Sequence, residues 1–259
     1  MTSHRALAAL LCATVLSACE ERGPQDITGA APASRVKFFN FGVGAPGVNF
    51  YANDAKITAV SSADTVESTL GTAYGSAGAG GFYSGLAPGQ YTFTGRLAAA
   101  TDKNLVIASV PATIADGKAY SVYLSGTYDA ATKQVDGFVV EDALPARVAY
   151  DSTYVRFVNA ISNAGPLVLY FRNPTTGAQF QVSAPVAYKA AGSFVAFPNT
   201  ASGFTTLVVR TEGAAADAFT RTGVTFDPGR AYTIAARGDI TVTSATAVNR
   251  PQLDNTANY

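Results

Sequence analysis

An internal repeat constrains the fold of this chain more than any other feature of its sequence. The stretch RVKFFNFGVGAPGVNFY at residues 35–51 is matched by YVRFVNAISNAGPLVLY at residues 154–170, at a constant offset of 119 positions. In this alignment a basic residue recurs, because Lys37 corresponds to Arg156. A second pair of motifs, DGKAYSVYLSG and PGRAYTIAARG, follows in the same order near the end of each copy. Two motifs repeated in the same order predict duplicated domains of roughly 100 residues each.

Short stretches of alternating apolar and polar residues fill both copies. They lie at residues 36–38, 91–94, 122–124, 180–182 and 240–244. Alternation places apolar side chains on one face of a strand and polar side chains on the other, which is typical of half-buried antiparallel strands. Clusters of Pro, Gly, Asp and Asn separate these stretches and predict turns. Seven or eight such strands in about 100 residues predict a β-sandwich.

Two tyrosines refine this prediction to an immunoglobulin-like sandwich. The segment DGKAYSV, which contains Tyr120, resembles the tyrosine corner of such domains, and LAPGQY, which ends at Tyr91, resembles the corner of fibronectin-type domains. The alternative is that these tyrosines simply mark turns that enter strands. We therefore predict an all-β chain with two tandem immunoglobulin-like antiparallel β-sandwich domains, at 35–145 and 152–248, and a disordered tail at 249–259.

The N-terminus has the pattern of a lipoprotein signal. The apolar run at 6–15 is shorter than the roughly 20 residues that span a bilayer as a helix, and it has the length of a signal-peptide core. The tetrad LSAC, which ends at Cys19, resembles the bacterial lipobox. That resemblance implies cleavage after residues 1–18 and acylation of Cys19, with 19–34 as a flexible tether. Each buried methylene of an acyl chain contributes about 0.8 kcal/mol to anchoring. The alternative is an ordinary secretory signal that happens to contain Cys.

The residue after the predicted acylated cysteine indicates whether the inner or the outer membrane holds the anchor. By resemblance, Glu20 does not match the usual inner-membrane retention signal, which has Asp at this position. The predicted location is therefore the bacterial outer membrane, with either its periplasmic or its external face open to the folded domains.

Composition argues against several kinds of functional site. The chain has one His, one Met, two Cys and no Trp, and of these only Cys19 lies beyond the predicted signal peptide. A Ser-His-Asp triad needs an imidazole, and zinc and copper sites need His or Cys ligands. With 18 basic and 18 acidic residues, the chain has neither the charge of a nucleic-acid-binding protein nor a polybasic membrane patch. We predict no enzymatic activity, no cofactor, no metal and no nucleic-acid partner.

The motifs also resemble a known family. RVKFFNFGVGAPGVNFY, LAPGQYTFTG and DGKAYSVYLSG are similar to the bacterial family called domain of unknown function 4397. The resemblance covers most of 35–142 and, more loosely, 153–248. It implies an exported protein, often a lipoprotein with tandem domains, and no particular activity. The sequence departs from the family pattern at Asn40 and Asn159, where His is frequent, and at Asn49, where Asp is common.

Aromatic residues are the candidates for a binding surface. A ring that points outward from a strand can stack on a sugar or on a partner protein. The candidates are Phe82, Tyr83, Tyr51 and Tyr170. The alternative is that these rings pack in the core or at a sheet edge. The glycine-rich stretch at 71–85 lacks the spacing of a phosphate-binding motif, and we predict a mobile loop or a contact surface there.

Carboxylates give a third functional alternative. Glu141 and Asp142 are neighbours that would point to opposite faces of a strand, so they would not form an acid/base pair. Two acids from distant strands could still form a hydrolase site. The main prediction is a membrane-anchored envelope lipoprotein with a non-enzymatic binding or structural role and a protein or glycan partner. The alternatives are a carbohydrate-binding module or adhesin, and a carboxylate-based hydrolase.

Overall fold

The computed structural model describes residues 33–58, 69–198 and 205–258. The predicted signal peptide, Cys19 and most of the predicted tether lie outside these described residues. Apart from one short 3-10 segment at Gly78–Gly81, the described residues form strands, turns and loops. The prediction of an all-β sandwich protein is confirmed.

Repeat 1 consists of two packed sheets. Its strands are β1 (Arg35–Asn40), β2 (Val48–Ala52), β3 (Ala55–Lys56), β4 (Ser76–Ala77), β5 (Ser84–Gly85), β6 (Gly89–Leu97), β7 (Val106–Ile114), β8 (Ala119–Asp129) and β9 (Gln134–Glu141). The inner sheet has the order β4-β1-β8-β9, with β5 also paired to β1, and the outer sheet has the order β3-β2-β6-β7.

Repeat 2 has the same arrangement. Its strands are β10 (Ser152–Asn159), β11 (Leu167–Arg172), β12 (Gln179–Gln181), β13 (Ala190–Ala191), β14 (Val195–Pro198), β15 (Thr206–Thr211), β16 (Phe219–Arg221), β17 (Ala231–Arg237) and β18 (Gln252–Ala257). Its inner sheet has the order β13-β10-β17-β18, with β14 also paired to β10, and its outer sheet has the order β12-β11-β15-β16.

One strand pair in each repeat differs from the antiparallel prediction. Strand β1 pairs with β8 in parallel, and β10 pairs with β17 in parallel. Parallel neighbours need a long crossover connection, and the strands of the outer sheet lie within that connection. The pairing joins the two repeated sequence motifs, because Val36 lies opposite Tyr120 and Val155 lies opposite Tyr232.

Each repeat has its own hydrophobic core between its two sheets. In repeat 1, Phe38 of β1 stacks on Phe50 of β2 with ring centroids 5.0 Å apart. In repeat 2, Phe171 of β11 contacts Phe197 of β14 edge to face at 4.8 Å. Burying each such side chain contributes about 1.5–3 kcal/mol. Both cores are therefore large enough to hold their sheets together.

A third apolar cluster joins the two inner sheets, which lie face to face. Repeat 1 contributes the aromatic residues and repeat 2 contributes smaller side chains. The members are Phe39, Phe41, Tyr123 and Phe138 from repeat 1, and Val158, Ala160 and Ala235 from repeat 2. Residues 32–259 form one compact unit, so the two repeats are layers of a single body.

This junction corrects the prediction of half-buried strands for β1 and β8. Lys37 and Tyr123 occupy the positions that alternation assigns to solvent, yet they are only 2% and 0% exposed. The reason is that the second repeat covers the face that a lone sandwich would expose. Alternation reports which side of a strand a residue is on, but it does not report what covers that side.

The tyrosine corners are present in both repeats. The backbone N–H of Ala115 donates to the Tyr120 hydroxyl at 3.2 Å, and the N–H of Asp227 donates to the Tyr232 hydroxyl at 3.1 Å. The Tyr91 hydroxyl donates to the carbonyl of Ala87 at 3.0 Å. In each case the tyrosine hydroxyl bonds to the backbone of the turn that precedes its strand.

Two predictions near the C-terminus are wrong. The predicted tail at 249–259 contains β18, which pairs along the whole length of β17 and places Leu253 in the core of repeat 2. The alternating stretch at 240–244 is not a strand. The carboxylate of Asp239 accepts hydrogen bonds from the N–H and hydroxyl groups of Thr241 and so stabilises a turn.

The glycine-rich stretch at 71–85 differs from the predicted loop. It contains β4 and β5, both of which are paired to β1. Gly75 has φ of +76°, and a Cβ atom there would lie 2.8 Å from the guanidinium of Arg237 in repeat 2. Glycine is therefore needed at this position both for its backbone conformation and for close contact between the repeats.

Candidate functional site

Two of the four predicted surface aromatics are covered. The guanidinium of Arg96 lies 4.2 Å from the ring centroid of Tyr51, and that of Arg210 lies 4.8 Å from the ring centroid of Tyr170. Tyr51 is 7% exposed and Tyr170 is half-buried. These equivalent tyrosines belong to matching cation–π pairs on the two outer sheets, so they do not offer free rings to a ligand.

Tyr83 belongs to a buried polar cluster. Its hydroxyl donates to the Oδ2 atom of Asp142 at 2.6 Å. The Lys37 Nζ atom lies 4.3 Å from its ring centroid, and the Arg35 guanidinium lies 5.0 Å from it. Burial, reinforced by the negative charge of Asp142, raises the pKa of the Tyr83 hydroxyl. The ring therefore packs over basic side chains, and its hydroxyl helps to hold Asp142 of repeat 1 in the position that contacts Arg156 of repeat 2.

Phe82 is the predicted aromatic that does face solvent. Its side chain is 76% exposed, and it lies at the rim of a cleft of about 380 Å³ between repeat 1 and β18. One side of the cleft consists of aromatic rings and glycines of repeat 1, and the other consists of residues of β18 with polar groups. Among its lining residues are Phe39, Phe41, Gly81, Phe82, Asp254 and Thr256. This cleft is the candidate binding site.

Among the described residues that line the cleft, none carries an unpaired charge. The Asp254 carboxylate accepts a hydrogen bond from Arg237 Nε at 2.5 Å, and this ion pair neutralises it. A site with aromatic rings, hydroxyl groups and no net charge is suited to an uncharged ligand or to an apolar side chain of a partner.

At the junction of the repeats, sequence reasoning missed a buried charged network. We call its first part the Arg156 corner. The Arg156 guanidinium donates to the Asp142 carboxylate and, at 2.9 Å, to the carbonyl of Glu141. The side chains of Arg156 and Asp142 are 1% and 0% exposed. Ser121 Oγ donates to the second carboxylate oxygen of Asp142 at 2.8 Å, and Phe194 covers the guanidinium at 5.0 Å.

The second part, the Lys37 corner, is the equivalent of the first. Lys37 Nζ donates to the carbonyl of Ala257 and, at 3.3 Å, to Oδ1 of Asn258. Asn258 Nδ2 donates to Thr233 Oγ1 at 2.8 Å. Tyr83 covers the amine as Phe194 covers the guanidinium.

The strand register proves this equivalence. Glu141 lies opposite Tyr120, and Ala257 lies opposite Tyr232, so Asp142 and Asn258 follow at matching positions. Each basic side chain therefore crosses the junction to the end of the other repeat's last strand. The corners are also joined directly, because Arg156 Nε donates to Thr233 Oγ1 at 2.8 Å.

The two corners differ in charge. The Arg156 corner holds an ion pair, whereas the acceptor in the Lys37 corner is a neutral amide. Burial lowers the pKa of the Lys37 amine to about 8, although the nearby charge of Asp142 acts in the opposite direction. The amine therefore lies in an environment that favours its neutral form.

The adjacent carboxylates do not converge, in agreement with their strand geometry. Glu141 pairs with the exposed Lys118 at 2.9 Å, whereas Asp142 is directed into the junction. Within the described ranges there is no group of three or more His, Cys, Asp or Glu that could hold a metal ion. The same residues include no helix that is long and apolar enough to cross a membrane.

Comparison with known proteins supports the sequence resemblance. The model of the family described as a domain of unknown function (DUF4397) matches residues 34–170, slightly more than half of the chain. No curated protein matches the sequence. The matched region begins just before β1 and continues through most of β11, so it includes all of repeat 1 and the first strands of repeat 2. The chain belongs to the DUF4397 family.

Proposed function

We propose that this protein is an exported, lipid-anchored envelope protein whose two-repeat body serves as a non-enzymatic binding module. The observation that carries the binding role is the exposed ring of Phe82 at the rim of the cleft. Apolar surface of this kind at the edge of a concave site favours contact with a partner. The anchor rests on Cys19 in the lipobox-like tetrad LSAC.

Rigidity of the junction supports this role. The cleft lies between elements of both repeats, and the charged network and third apolar cluster hold those elements together. A preorganised site loses less conformational entropy on binding than a flexible one. A lipid-anchored body with a fixed cleft is therefore suited to present one surface to an envelope or extracellular partner.

The binding role is tested by placing a photo-crosslinking amino acid at position 82 in living cells. We expect specific adducts from position 82 and none from position 150, since Tyr150 is an even more exposed aromatic, at 92%, that does not line the cleft. Equal labelling at both positions, or none at either, would contradict a binding role for the cleft.

The anchor is tested with a Cys19→Ser variant and radiolabelled palmitate. We expect the wild-type chain to incorporate label and to partition into detergent, and the variant to do neither. A variant that still enters the detergent phase would show that the anchor is elsewhere. Protease digestion of intact cells then determines whether the body faces the periplasm or the exterior of the outer membrane.

A second candidate function is carbohydrate binding. The combination of Phe82 with Thr256 and neutralised Asp254 suits the apolar face and hydroxyl edge of a sugar. A glycan array probed with wild-type protein and with Phe82→Ala protein tests it. Signals lost in the variant support a glycan ligand, and a blank array favours a protein partner.

A further inference from the structure

The Lys37 corner contains two functional groups that can react with each other. A primary amine and a carboxamide condense to a secondary amide with loss of ammonia. Lys37 Nζ lies 3.3 Å from Oδ1 of Asn258, and the amide carbon is one bond beyond that oxygen. Groups held this close behave as if present at very high concentration.

We propose that Lys37 and Asn258 form an intramolecular amide bond that joins the first strand of repeat 1 to the end of repeat 2. In this step the bond between Nζ and the side-chain carbon of Asn258 forms, and the bond from that carbon to Nδ2 breaks. The proton that Nζ loses ends on the departing nitrogen, which leaves as ammonia. No oxidant, reductant or further reactant takes part.

The environment of the amine favours this reaction. Lys37 is 2% exposed and Asn258 is 5% exposed, and the Tyr83 ring covers the amine. Burial lowers the pKa of Lys37 to about 8, so about a tenth of the amines are neutral and nucleophilic at pH 7. Asn258 Nδ2 donates to Thr233 Oγ1 at 2.8 Å, and this bond fixes the orientation of the carboxamide beside the amine.

The equivalent corner cannot react in the same way. The guanidinium of Arg156 stays protonated in proteins, and its delocalised nitrogens are poor nucleophiles. Its partner is the carboxylate of Asp142, which is paired with that cation. The same backbone geometry therefore holds an ion pair in one corner and a reactive amine–amide pair in the other.

Tryptic peptide mapping of the full-length protein, purified folded from membranes, tests the bond. We expect a branched peptide in which residues 36–56 are joined to residues 238–259, with a mass equal to their sum less one ammonia. Trypsin does not cut after an acylated lysine, so cleavage after Lys37 reports a free amine. A linear peptide of residues 38–56 in place of the branched one would overturn the proposal.

Variants provide the matched controls. Asn258→Ala is expected to abolish the branched peptide and to restore cleavage after Lys37. Asn255→Ala, which changes another β18 asparagine that has no hydrogen bond to Lys37, is expected to retain the branched peptide. Loss of the branched peptide in both variants would show that folding, and not the identity of residue 258, determines the mass, and would count against the bond.

Discussion

The Lys37 corner and the Arg156 corner have the same backbone geometry but differ in the charge of the group that accepts the basic side chain. In both, a base on the first strand of one repeat reaches the end of the last strand of the other repeat. The Arg156 corner places a carboxylate there, and the Lys37 corner places an amide. The two repeats therefore share a backbone arrangement but differ in the charge of the group that accepts the basic side chain.

The free-energy cost of each arrangement depends on the burial of its charged groups. An ion pair with no exposure is stable only when both partners are present and the remaining hydrogen bonds are made. Asp142 meets this condition with Arg156, Tyr83 and Ser121. A buried ammonium beside a neutral amide lacks a compensating charge in direct contact, so the Lys37 corner lowers the pKa of the amine and increases its neutral fraction.

The largest expected effect comes from breaking the ion pair. Arg156→Met leaves the Asp142 carboxylate buried without its cation, which we expect to lower the free energy of unfolding by about 3–5 kcal/mol. Urea denaturation measures the change. Adding Asp142→Leu to Arg156→Met is expected to recover most of the loss, because the isolated charge is then removed.

Arg96→Met is the matched control for that variant. Arg96 pairs with the fully exposed side chain of Asp54 at 3.2 Å and lies over the Tyr51 ring. Because its replacement leaves no buried charge, we expect a loss of only about 1–2 kcal/mol. If Arg156→Met costs no more than Arg96→Met, the junction does not depend on the ion pair.

A smaller effect is expected from the pH dependence of the Lys37 corner. In Asn258→Ala the Lys37 amine is free, and its pKa of about 8 lies below the value of 10.5 for an unfolded chain. The folded state then binds fewer protons than the unfolded state between these values. The free energy of unfolding should therefore rise by up to about 3 kcal/mol as the pH increases from about 8 to about 10.5.

Denaturation of three proteins across this pH range isolates the contribution of Lys37. The double variant Lys37→Met/Asn258→Ala removes the amine and should lack the rise. The wild-type protein should also lack it, since acylation removes the titrating group. A wild-type protein that shows the same rise as Asn258→Ala would demonstrate a free amine.

The smallest expected effect concerns a feature in which the repeats agree. Tyr120→Phe and Tyr232→Phe each remove the acceptor of one backbone N–H hydrogen bond, and each should cost about 1 kcal/mol. Tyr232→Phe also removes the long bond of 3.3 Å that this hydroxyl donates to the exposed Asp227 carboxylate, which should add little. Tyr150→Phe changes an exposed hydroxyl and should have no measurable effect. Clearly unequal losses of unfolding free energy at Tyr120 and Tyr232 would show that the two tyrosine corners do not contribute equally to stability.

Much of the fold followed from local patterns. The repeat alignment, the alternating strands and the tyrosine motifs predicted two β-sandwich units, and the registers join those motifs as paired strands. Local patterns failed where tertiary contacts decide the outcome. Residues 252–257 lack alternation but pair with β17, because a backbone ladder needs no particular side chains.

The candidate site was only partly predictable. Phe82 was among the predicted surface aromatics and is exposed beside the cleft. Tyr83, Tyr51 and Tyr170 were predicted on the same grounds, but cations lie over their rings. The charged network gave one signal in the sequence, the alignment of Lys37 with Arg156. Alternation at 36–38 assigned Lys37 to solvent.

From its sequence alone, this chain is a duplicated β-protein of the DUF4397 family in which no histidine, and no cysteine other than Cys19, lies beyond residue 18. Those properties depend on the composition of the chain and on the periodicity within single strands, and both can be read without knowing which strands pack together. Three features are visible only in the folded structure. The inner sheets face each other, Lys37 and Arg156 are buried, and Lys37 contacts Asn258. Lys37 and Asn258 are 221 positions apart in the sequence, whereas Arg156 and Asp142 are 14 apart. Both pairs are buried because one repeat covers the face that the other would otherwise expose to water.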